Sequence, residues 1–193
     1  MALFAASSPL HFKTPATFRR WLAKNHDCSE GVWLRLFKKG SGEPSITQAE
    51  ALDEALCFGW IDGQLKPLDK LSWLRKFTPR RPKSTWSKIN TQHADRLVQL
   101  GVMTLAGLEA IAAAKADGRW AAAYASPKNA APPEDFLEAL AANPPAEAFF
   151  KSLNKANIYS IVYRLETAKK PETRAKRLKM ILQMLATGQR FHP

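Results

Sequence analysis

The chain has 193 residues, 46% apolar and 24% charged, long enough to bury the core of one large domain or two small intimate ones. That balance excludes a disordered chain, and no stretch approaches the ~20 apolar residues of a membrane span. A formal net charge of +12 favours partners that carry negative charge: nucleic acid, anionic lipid or a phosphorylated small molecule. The excess is concentrated. Residues 64–90 hold eight Lys/Arg against Asp69 alone, and residues 151–193 hold ten against two acids.

Taken in order, the first residues, MALFAASSPLHFKTP, carry no charged n-region and no apolar run, so no secretory signal is expected. Cys28 and Cys57 have no CxxC or His-rich spacing around them, which fits free thiols in a reduced cytoplasm. Thr14 and Pro15 open a helix as N-cap and first residue, with Phe18, Trp21 and Leu22 on one face and a stop at Asn25 and His26. Val32 to Lys38 alternates as a strand, and Gly40 and Gly42 break it. Thr47 and Glu50 form a capping box for a helix running to about Phe58.

Gly59–Leu65 and Ser72–Phe77 read as a hairpin about a Pro67–Lys70 turn, and Pro79 and Pro82 are expected to hold TPRRP extended and outside the sheet. Ser84 is expected to cap a helix with Ile89, Ala94, Leu97 and Val98 on its buried face, ending at Gly101. Thr104 caps the next, whose apolar face is read as Leu105, Leu108 and Ala112. The pattern fades from Gly118 to Pro133, where Ser126-Pro127 and Ala131-Pro132-Pro133 read as a linker. Beyond it come a helix with Phe136, Leu137 and Leu140, a short turn with Phe149 and Phe150, a helix capped by Asn154, and a last helix opened by Pro171; the final two should pack as an antiparallel pair. The expected fold is α+β: a small antiparallel sheet with flanking helices over 1–130, then a C-terminal helical module over 131–193 packed on it.

The basic stretch 79–90 holds the candidate site. Two adjacent arginines, Arg80 and Arg81, sit between prolines, and a helix start near Ser84 would bring unpaired backbone donors to the same place. Arg80, Arg81, Ser84 and Ser87 are the expected oxyanion cluster, with Lys83 and Asn90 beside it and Trp86 either stacking on a ligand ring or lying in the core. Asp62 before Gly63 fits best as a turn former; it could also orient the two arginines by bidentate pairing.

The leading expectation is therefore a protein that binds an anionic small molecule. A second reading is sequence-independent nucleic-acid binding, in which Arg174, Lys176, Arg177 and Lys179 of the last helix join the central basic block. A third is an enzyme acting on an anionic metabolite with Asp62 or His93 as base, although no nucleophile–base constellation is present. The four histidines are scattered, so no metal site and no cofactor is expected.

With those residues in view, the chain resembles the bacterial YdeI/OmpD-associated family, often described as bacteriocin-protection proteins. The resemblance is carried by ALCFGWIDG at 55–63, FTPRRPKSTWSKIN at 77–90, GVMTLAGLEA at 101–110, DGRW at 117–120 and AKKPETRAKRL at 168–178, and it spans most of residues 30–187. It implies an α+β part followed by a helical module, and a role in resistance to stress or antibacterial agents. It supplies no catalytic residues. Direct association with an outer-membrane porin would need export, for which the sequence offers no signal.

Overall fold

A computed structural model describes residues 8–124, 130–168 and 170–193. Among these are eight helices and three strands, in the α+β arrangement expected. The chain divides into two compact units: residues 1–84 with 90–121, and residues 85–89 with 122–193. Of the expected linker, 125–129 lie outside the described residues.

In the first unit, local chemistry sets the starts of the helices. α1 (Pro15–Asn25) begins where the Thr14 hydroxyl accepts from the Thr17 N–H, and α2 (Gln48–Cys57) where Thr47 and Glu50 cap each other. β1 (Val32–Phe37) buries Val32, Leu34 and Leu36 and turns Trp33, Arg35 and Phe37 to the opposite face. β2 (Trp60–Pro67) and β3 (Ser72–Pro79) form the hairpin, and β3 is the middle strand of an antiparallel sheet ordered β1-β3-β2. Phe18 and Leu22 of α1 and Leu34, Leu36, Trp60 and Phe77 of the sheet are among the largest buried side chains of this unit, with the Phe18 and Phe77 rings edge to face at 5.7 Å. The Trp60 indole N–H donates to the His26 carbonyl at 3.1 Å, which satisfies its polar atom.

Several elements depart from the sequence reading, each for a local reason. Pro79 ends β3 opposite Trp60, and the next residue stays attached to the sheet edge, because the Arg80 N–H donates to the Gly59 carbonyl at 3.0 Å. Proline is tolerated there because the end of a strand asks for no donor from it. Asp62 is not in a turn. It lies within β2, before a bulge between Asp62 and Leu65 that absorbs Gly63 and Gln64.

α3 (Lys88–Gln99) starts three residues later than a cap at Ser84 would place it, since Ser84 closes a turn in place of capping: its hydroxyl accepts the Arg81 N–H at 3.1 Å, and its own N–H donates to the Arg81 carbonyl. The buried face of α3 is Thr91, Ala94 and Leu97, which leaves Ile89 and Val98 exposed.

α4 (Leu105–Ala116) shows the largest change of face. Leu105, Leu108 and Ala112 point outward, with Leu105 72% exposed, while Gly107, Ile111 and Ala114 are buried. The contact of α4 with α2 decides the matter. Thr104 gives its hydroxyl (2.6 Å) and its N–H (3.1 Å) to the Cys57 carbonyl at the end of α2, which leaves room for no side chain at Gly107. Gly59 is the other glycine fixed by this approach: its φ is +70°, and a Cβ would lie 2.9 Å from the Ala106 carbonyl oxygen.

In the second unit, α5 (Glu134–Ala141), α6 (Pro144–Lys151), α7 (Lys155–Glu166) and α8 (Pro171–Ala186) enclose Phe136, Leu140, Ile161, Leu165, Ile181 and Leu185. α8 packs against α5, α6 and α7, so the expected α7–α8 pair is present within a larger bundle. The segment with Phe149 and Phe150, read as a turn, is the helix α6, started by Pro144 and by Asn143, whose side chain accepts from the Ala146 N–H. Leu137 is exposed, not core.

Candidate functional site

The Arg81–Ser84 turn holds the two arginines at one wall of a cavity of about 190 Å³ in the first unit. Arg80, Arg81 and Pro82 form that wall, Ala110 and Ala113 of α4 form another, and Asp117 and Arg119 close it. The alanines leave the space open: a larger residue at either position would fill it. Arg119 is buried, and it is the anchor of the site. Its Nε donates to both Asp117 carboxylate oxygens (2.8 and 2.6 Å), and one of its terminal nitrogens donates to the Ser84 carbonyl at 2.9 Å. One guanidinium thus ties the end of α4 to the turn that carries Arg81. The Arg81 side chain is exposed, and the hydrogen bonds of Arg81 to Ser84 are made by its backbone N–H and carbonyl. The residues lining the cavity include three arginines and one aspartate. Its volume lies well below the ~300–1,000 Å³ of pockets that enclose a drug-sized ligand, and suits a single anionic group.

Of the residues singled out from the sequence, Arg80, Arg81, Lys83, Ser84 and Asn90 belong to the first unit, whereas Trp86 and Ser87 belong to the second. Trp86 is buried, which removes it as a platform for a ligand ring. The Trp86 carbonyl accepts the Tyr124 N–H, and the Lys88 N–H donates to the Tyr124 carbonyl, so Ser87 lies in a short bridge with Tyr124. Lys83 is exposed on the turn, and Asn90 is half-buried on α3.

Asp62 does not orient Arg80 or Arg81 by bidentate pairing. Its Oδ2 accepts from both Nε (3.0 Å) and a terminal nitrogen of Arg75, on a half-buried pair within the sheet. His93 is likewise occupied, with Nδ1 2.8 Å from Asp53, whose other oxygen accepts from Arg96 at 2.6 Å. Arg119 was missed as a site residue. The signal was DGRW, an aspartate two residues before an arginine just past a helix end, where the backbone turn brings the two side chains together.

The cations of α8 meet internal partners in part. Arg174 grips Asp135 through Nε (3.0 Å) and a terminal nitrogen (2.6 and 2.8 Å) and also reaches the Leu165 carbonyl; Arg177 donates to the Arg164 carbonyl at 2.7 Å. Lys176 and Lys179 remain exposed. The Arg174 hydrogen bonds hold the Asp135 carboxyl below the ordinary carboxylate range. A depressed acid stabilises the fold above its unfolded value of ~3.9 and loses that contribution as pH falls through the folded value. Asp135→Asn should therefore cost about 0.5–1 kcal/mol near neutral pH, discounted because the pair is half exposed, and that cost should shrink as pH falls from the ordinary carboxylate range toward ~2. Urea unfolding of the second unit at both pH values checks this.

No helix among the described residues is long and apolar enough to cross a membrane. Nor does any group of three or more His, Cys, Asp or Glu among them offer to hold a metal ion.

Fold and site together define a small α+β protein with an arginine-lined cavity beside its sheet. Residues 10–110, just over half of the chain, match a domain of unknown function, DUF8412, and the chain belongs to that family. Residues 129–188 match the family described as bacteriocin-protection, YdeI or OmpD-associated. The resemblance read from the sequence therefore holds over the C-terminal part, where AKKPETRAKRL lies, while the motifs at 55–63, 77–90 and 101–110 fall in the first match. Neither the curated proteins nor the solved structures give a match.

Proposed function

We propose that the first unit binds a small oxyanion, free or as the head group of a small metabolite, in the cavity between Arg80, Arg81 and Arg119. The observation that carries this reading is the cavity itself: three arginines among the residues lining about 190 Å³, with small alanines on the facing helix. A planar guanidinium fork suits phosphate, sulfate or carboxylate better than a lysine point charge does. Arg119, already committed to Asp117 and Ser84, positions the turn; Arg81, exposed at the mouth, is the residue that meets the ligand. The match of residues 129–188 supports a role for the whole protein in resistance to antibacterial agents, with anion binding as its molecular activity.

The test is thermal stabilisation by phosphate or sulfate over chloride at equal ionic strength. Each charge-assisted contact contributes ~1.5–3 kcal/mol, so Arg81→Ala should weaken binding by roughly tenfold or more, and Arg81→Lys should recover only part. Equal stabilisation of the wild type, Arg80→Ala and Arg81→Ala would leave these residues as ordinary surface charge and end the reading.

A further inference from the structure

The tip of the β2–β3 hairpin has a different character from the rest of the surface. Three leucines project within seven residues: Leu65, Leu68 and Leu71 are 53%, 46% and 52% exposed. Such large side chains at a protruding turn have no folding reason to be apolar, since turns of this kind are ordinarily built from Gly, Asn, Asp and Ser. Four lysines lie near them in the chain or the sheet. Lys66 and Lys70 lie on the hairpin, and β1 ends beside it, with the Lys38 N–H on the Leu71 carbonyl at 2.8 Å and the Lys38 ammonium on the Lys70 carbonyl at 2.9 Å. Lys39 follows on the same exposed stretch. The one acid of the tip, Asp69, is neutralised by Arg35 at 2.8 Å and fixed by the Leu71 N–H and the Ser72 hydroxyl. The tip is thus an apolar turn with four lysines near it, of which Lys66 lies over the Trp33 ring at 4.8 Å on the face of the sheet away from Leu65.

We propose that this hairpin tip docks the protein on an anionic lipid bilayer. Leu65, Leu68 and Leu71 enter the boundary between head groups and acyl chains, and Lys38, Lys39, Lys66 and Lys70 stay at the level of the phosphates. The like charge of the four nearby lysines favours an anionic bilayer by its sign. This surface is separate from the arginine cavity, and either can fail alone.

Co-sedimentation of the full chain with vesicles tests the proposal, using phosphatidylcholine alone and an equimolar mixture with phosphatidylglycerol. The wild type should bind the mixed vesicles and not the neutral ones. Leu68→Ser/Leu71→Ser keeps every charge and should lose roughly tenfold or more, and each of Lys66→Glu and Lys70→Glu should lose about fivefold or more. All these positions are exposed, so circular dichroism and the melting curve should stay those of the wild type. Lys176→Glu/Lys179→Glu, in the other unit, removes more charge and should retain tip-directed binding, as should Arg81→Ala. No binding of the wild type to mixed vesicles would overturn the proposal. So would a leucine double variant that binds as the wild type does, or an α8 variant that loses as much as the tip variants: either result means general adsorption of a cationic protein.

Discussion

Gly107→Ala is expected to destabilise the first unit by about 3 kcal/mol, roughly 6–12 °C in melting temperature for a chain of this length. At an open helical site the same change would stabilise by about 1 kcal/mol, since alanine is the better helix former. Sterics reverse the sign here. A Cβ at Gly107 would overlap the Cys57 carbonyl oxygen and Met103 Sδ and lie 2.9 Å from the Cys57 carbonyl carbon. The methionine can move, but the carbonyl cannot, because Thr104 holds it by two hydrogen bonds. The helices would have to separate, and with α4 would go Ala110 and Ala113, which line the arginine cavity. Loss of stability accompanied by loss of phosphate binding is the expected pair of results. A rise in melting temperature would show that α2 and α4 do not meet so closely.

The second large effect concerns Asp62 and Arg75, which are only 14% and 19% exposed in their side chains. Arg75→Ala leaves a carboxylate desolvated within the sheet and should cost on the order of 3 kcal/mol; Asp62→Ala should cost a similar amount by stranding the guanidinium. The double variant Asp62→Leu/Arg75→Leu removes both charges and should cost much less than the two single changes together, because neither is left unpaired. Urea unfolding of the four proteins measures the coupling. Single changes that each cost little and add in the double variant would mean that the pair is solvated and incidental. Neither change touches the arginine cavity, so phosphate affinity measured under native conditions should survive.

What the sequence disclosed, and what it withheld, follows from the range of the forces involved. The caps at Thr14, Thr47 and Asn154 are made by groups three residues apart, and the alternation of Val32–Phe37 needs only the pleat, so each was legible. The phase of α4 was not. LAGLEAIAAAKA is apolar almost all round, so Leu105 and Leu108 mimic a buried face while the true one is set by a glycine against a neighbouring helix.

Ser84 was read as a cap because serine suits both caps and turns, and only the Arg81 N–H decides between them. The pairing of Asp62 with Arg75 depends on strand register and on a bulge, both tertiary facts. At the site, Arg80 and Arg81 were visible as charge between prolines, while the cavity needed α4 and Arg119 from more than twenty residues further on.

The most direct measurement is a titration of the isotopically labelled full chain with inorganic phosphate, followed by amide and arginine Nε resonances at constant ionic strength. The account predicts saturable shifts confined to Arg80, Arg81, Arg119 and the neighbouring amides of Ala110, Ala113 and Asp117, with saturation lost in Arg81→Ala. Shifts that grow linearly, spread over the exposed lysines and persist in Arg81→Ala would contradict it.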